Sequence, residues 1–151
     1  MRKIAASLLI FIVAFGSGTL GTKAYYKWNI QFRLLGSGVS SSGGGGYGSF
    51  SSWESYDGQR VTKYIADFES HEAARRSLDE SISTATDILE KEILYDRSHT
   101  KVVGERYVTR RETLYGRNYY EIISLDETTV YTFISPSLPH VRIFEARERK
   151  F

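Results

Sequence analysis

The chain of 151 residues has no cysteine, only two prolines and three histidines. Without cysteine there is no disulfide framework, thiolate zinc site, cysteine nucleophile or lipidated thiol. The absence does not report the compartment, since a cysteine-free domain survives in either redox environment. His71, His99 and His140 are far apart, and no two have a metal-ligand spacing such as H-x-x-x-H. No metal site and no catalytic histidine are therefore expected. A G-x-S-x-G nucleophile elbow is also missing. Asp79-Glu80, Glu90, Glu92 and Asp126-Glu127 sit where helices and turns carry solvated charge, so no catalytic carboxylate pair is assigned.

Charge of one sign is lacking as well. The net charge is +2. Five basic and two acidic residues precede position 59, and fifteen basic against sixteen acidic residues follow. The basic excess flanks an apolar start, while the later part is near neutral. That balance leaves no electrostatic footprint for nucleic acid. Gly16-Ser-Gly-Thr-Leu-Gly21 fits G-x-G-x-x-G, but a dinucleotide site needs a strand before it and an acid about 20 residues on. Residues 36–46 hold no acid, and no cofactor is expected.

What is present begins at the N-terminus. Met1-Arg2-Lys3 precedes the uncharged apolar run Ile4–Phe15, and small residues follow to Thr22. As a signal peptide, the twelve-residue run falls within the usual ~7–15. As an anchor, Ile4–Thr22 approaches the ~20 residues that span a bilayer. Tyr25, Tyr26 and Trp28, with Lys23 and Lys27, suit a membrane interface. The expectation is a signal-anchor or signal peptide over 1–24, contacting the membrane. The C-terminal part is then exported as a single-pass protein, or secreted or periplasmic after cleavage.

Residues 25–52 read as a juxtamembrane segment and linker. The stretch 36–52 (GSGVSSSGGGGYGSFSS) buries too little apolar surface to offset backbone ordering, which predicts a flexible tether. A globular domain is expected over 53–151. Gln59–Phe68 alternates as a strand. Ser70 suits an N-cap, and Ala74, Leu78, Ile82, Ala85 and Leu89 form one stripe, predicting a helix of about 23 residues. Four strands follow, over 101–110, 119–125, 128–135 and 141–146, with Pro136–Pro139 as loop.

The predicted order is β-α-β-β-β-β: a two-layer α+β domain with one long helix on an antiparallel sheet of about five strands. Cystatin-like folds share this order, but the Q-x-V-x-G inhibitor motif is absent and the likeness carries no function.

Arg106, Arg110, Arg111 and Arg117 lie along one strand and its turn, with tyrosines nearby, and form the candidate surface for anionic lipid or cell-wall polymer. The functional expectation is a membrane-tethered, extracytoplasmic binding or scaffolding module without evident catalytic apparatus, facing an unknown protein or cell-envelope partner. The alternative is a small pocket enzyme or ligand-binding protein using the concavity between helix and sheet.

Overall fold

A computed structural model describes residues 30–42, 46–96 and 98–148. The described residues from Phe32 onward form one compact unit. Seven strands make a single antiparallel sheet: β1 (Phe32–Ser42), β2 (Gly46–Ser55), β3 (Arg60–Asp67), β4 (Asp87–Tyr95), β5 (Val102–Glu112), β6 (Asn118–Asp126) and β7 (Thr129–Ser135). Helix α1 (His71–Ser83) follows β3, and α2 (Leu138–Glu148) closes the fold. The spatial order is β1-β2-β3-β7-β6-β5-β4.

Strand alternation sends neighbouring residues to opposite faces, and each face receives one helix. Ala74 and Leu78 of α1 pack with Phe68, Tyr107, Ile123, Leu125 and Val130. On the other face Phe144 of α2 sits among Phe32, Trp53 and Phe133, with ring centroids 5.0, 5.6 and 6.1 Å away. The domain is therefore a sheet between two short helices. The predicted two-layer arrangement of one long helix on five strands is incorrect.

Three local readings account for the difference. Of the Gly/Ser stretch, residues 36–42 belong to β1 and 46–52 to β2, which pair antiparallel and are not a flexible linker. Low apolar content was the wrong criterion there, because β2 obtains its order from an eight-pair ladder with β3, Tyr47↔Asp67 to Glu54↔Arg60. The ring of Phe50 lies where a side chain at Gly38 would go: a Cβ added to Gly38 would meet it at 2.7 Å. An aromatic thus covers the strand glycine opposite it.

The helix stops at Ser83 because its last carbonyls are taken by side chains. Thr84 Oγ1 donates to Ser81 O at 3.1 Å, and Ser83 Oγ donates to Glu80 O at 2.8 Å. Ala85 and Leu89 continue the stripe only by coincidence, and Asp87–Tyr95 is strand β4. The segment expected as a final strand is α2. Its buried residues His140, Val141, Phe144 and Glu145 recur at helical spacing, and Pro139 is tolerated in the first turn.

The predicted membrane segment, 1–24, lies outside the described residues. Among the described residues no helix is long and apolar enough to cross a membrane, so the membrane reading finds no support there.

Candidate functional site

The most chemically suggestive arrangement lies where the β2–β3 turn meets the start of α2. The turn is Ser55-Tyr56-Asp57-Gly58. The Gly58 N–H donates to Ser55 O at 2.9 Å, and Gly58 adopts φ +80°, a conformation that favours glycine. Ser55 Oγ donates to Asp57 Oδ1 and so holds the carboxylate in place. Across from it, the Ser137 carbonyl accepts the Val141 N–H at 3.1 Å where α2 begins.

His140 joins the two. Its Nδ1 lies 2.6 Å from Ser137 Oγ, and its Nε2 lies 2.9 and 3.1 Å from the oxygens of Asp57. The imidazole is buried and meets the Phe32 ring edge-on, with centroids 6.5 Å apart. The Ser55 hydroxyl, and after it His140, holds the Asp57 carboxyl below the usual carboxylate range against the opposing effect of burial.

With Asp57 accepting the Nε2 proton, Nδ1 is left to accept from the Ser137 hydroxyl. That is the polarity of a base-activated serine. An acyl-transfer centre also needs amide donors aimed at the developing oxyanion. Here the Ser137 N–H is spent on Ser135 Oγ at 3.1 Å, and Pro139 has none. The Ser137–His140–Asp57 chain ties the β2–β3 turn to the first turn of α2. Its three members stand at 57, 137 and 140, and no spacing in the sequence signals them. His71 and His99 lie elsewhere: His71 Nδ1 is 2.7 Å from Glu127 O, and His99 sits beside Tyr95. No group of three or more His, Asp or Glu residues among the described ones could hold a metal ion.

The four candidate arginines do not converge. Arg106 and Arg110 face α2, while Arg111 faces α1, as strand alternation requires. Arg106 is buried and bidentate on Glu145, with Nε and Nη2 each 2.7 Å from a carboxylate oxygen. Its third nitrogen lies 3.5 and 3.6 Å from Glu90 and Glu92. The Glu145 carboxylate, more than any other group, stabilises the Arg106 cation. Arg110 Nε donates to Asp87 at 2.7 Å. Arg111 Nε donates to Glu121 at 2.6 Å, and its other nitrogens reach Thr84 and the Ser81 carbonyl. Arg117 lies in the β5–β6 turn, where its main-chain N–H donates to Thr113 Oγ1 at 3.1 Å. Three of the four guanidinium groups thus balance internal carboxylates.

The outer hairpin offers a different feature. Ser37 and Val39 of β1, Ser49 and Ser51 of β2, and Lys63 and Ile65 of β3 share the α2 face by register. Their small side chains leave an open trough of about 330 Å³ beyond the end of the helix. Lys63 Nζ is 2.6 Å from Glu148, the last residue of α2.

No protein-family model matches the chain, and no curated protein does. Among solved structures, the crystal structure of a GTP-binding regulator from Thermotoga maritima is similar over 84% of this chain and 87% of that one, with 13% identity and a TM-score of 0.44. A likeness at that level carries no argument about fold or function.

Proposed function

We propose that the β-sheet domain is a binding module that performs no chemistry of its own and uses the trough on its outer hairpin to hold an extended peptide segment. One observation carries the reading. The trough is lined by Ser, Gly, Val, Phe and Ile with a single ionisable side chain, Lys63, and that amine is already paired with Glu148. A catalytic cleft needs at least two groups of complementary acid–base role. Small hydroxyls beside Val39 and Ile65 instead suit an apolar side chain flanked by peptide groups.

The test is selection of a random peptide library on the immobilised full chain. Peptides should be enriched whose binding is lost in Ser51→Trp, which fills the trough, and kept in Ser137→Ala. The reading fails if enriched peptides ignore Ser51→Trp. It also fails if a fluorophosphonate probe labels the wild type and not Ser137→Ala, because Ser137 would then be a working nucleophile.

A further inference from the structure

The two ends of the sheet are strands β1 and β4, and each has one side without a strand partner among the described residues. Open edges are templates for pairing, and proteins guard them with charge, proline or bulges. Strand β4 is guarded. It carries Asp87, Glu90, Lys91 and Glu92, and its register breaks at Ile88/Glu90 and again at Leu94/Tyr95. An antiparallel self-pairing centred on Glu90, Lys91 or Glu92 sets like charge against like.

Strand β1 is not guarded in this way. After one bulge at Leu34/Gly36, the seven residues Gly36–Ser42 run in regular register without a charge or a proline. Val39 stands at the midpoint of that run and is 86% exposed. A two-fold axis perpendicular to the sheet keeps each residue on its own face and reverses the strand. Centred on Val39, it sets Val39 against itself, Gly38 against Ser40, Ser37 against Ser41 and Gly36 against Ser42. No charge opposes a charge, and the one bulky apolar side chain meets its own copy on the axis.

We propose that β1 is a self-association edge. Two copies of the chain join β1 to β1, antiparallel, about a two-fold axis at Val39, and the sheet runs on through both. The segment is short and mostly Gly and Ser, so the contact falls below the roughly 1,200 Å² of a standard interface and is held mainly by main-chain hydrogen bonds. The association is therefore weak and concentration-dependent. It stands whether or not the trough binds a peptide.

The absence of native cysteine makes the test clean. Single-cysteine variants of the full chain, Val39→Cys, Leu35→Cys and Ile93→Cys, are oxidised under identical mild conditions and run without reductant. In the proposed pairing the two Val39 positions lie directly opposite, within disulfide reach. Leu35, four residues off the axis, lies roughly 27 Å from its copy. Ile93 lies on the other edge. Val39→Cys should dimerise at least tenfold faster than the other two. In sedimentation at matched concentration, wild type should show a dimer that Val39→Lys loses, with circular dichroism confirming that this exposed substitution still folds. Equal oxidation of the three cysteine variants overturns the proposal. So does a wild type that sediments like Val39→Lys at every concentration, the result expected if some other segment covers β1.

Discussion

The two faces of the sheet are built by alternate residues of the same strands, yet they hold their helices by different physics. The α1 face is largely aliphatic: Ala74 and Leu78 settle onto Ile123, Leu125 and Val130, while its ion pairs, Arg75–Glu105 at 3.1 Å and Arg111–Glu121 at 2.6 Å, stand outside that cluster. The α2 face is aromatic and ionic. Phe144 is surrounded by three aromatic rings, and beside it Arg106 and Glu145 form a buried pair, with side chains 10% and 5% exposed. An aliphatic contact is non-directional and tolerates small shifts. A bidentate pair fixes an orientation as well as a distance. We infer that α1 is held mainly by area, with Arg111 fixing only its last turn, and α2 by a pair at the middle of its contact.

The strongest way to break that contrast is to remove one half of the pair. Glu145→Ala leaves the Arg106 cation buried without its main partner, and we expect a loss of about 3 kcal/mol, the lower end of the usual range because Glu90 and Glu92 stand nearby. The double change Arg106→Met with Glu145→Leu should recover most of that loss in chemical denaturation. If the double variant is as unstable as the single one, the pair is not what positions α2. On the opposite face Leu78→Ala should cost about 2–3 kcal/mol through the cavity it leaves, since Leu78 is fully buried. No compensating partner exists there, so no second substitution of comparable simplicity should restore it.

A smaller effect tests the tie at the helix start. Ser137→Ala removes the hydroxyl that meets His140 and should cost about 1 kcal/mol, the usual worth of a side-chain hydrogen bond. His140→Ala should cost more than Ser137→Ala, because it also opens a void beside Phe32 and releases Asp57. The opposite ranking would place the tie in the Ser137 hydroxyl alone.

These contrasts explain what the sequence could and could not reveal. Strand β3 and the strands β5 to β7 were legible, because their alternation agrees with the turns that bound them. The hairpin of β1 and β2 was not, because its order comes from main-chain pairing and from Phe50 covering Gly38, neither of which composition reports. Helix α2 reads as a strand because Val141, Ile143 and the residues around them are too few to separate a period of two from one of 3.6. What selects the helix is distant: Phe32, Trp53 and Phe133 around Phe144, and Arg106 for Glu145. The arginine cluster was legible as charge but not as a site, since its carboxylate partners lie up to 39 residues away. The Ser137–His140–Asp57 tie spans 83 residues and leaves no local pattern.

The smallest expected effect lies away from both helices and sharpens the comparison by standing outside it. Asp96, in the β4–β5 loop, accepts from the Thr100 N–H at 2.9 Å, the Lys101 N–H at 3.2 Å and the Ser98 hydroxyl at 2.7 Å. These bonds, the Ser98 hydroxyl first, lower its carboxyl to about 2. A carboxylate held low in the folded loop adds stability above its unfolded value near 3.8 and loses it as the pH falls toward 2. Carboxyl ¹³C titration should therefore place Asp96 near 2, and Asp96→Asn should flatten the pH response of this loop's amides between about 4 and 2. The α1 and α2 faces should be unmoved by that variant, because nothing in the loop's hydrogen bonding reaches either helix. A midpoint near 4, or a variant that also loosens α2, would show that the loop's bonds do not close within the loop.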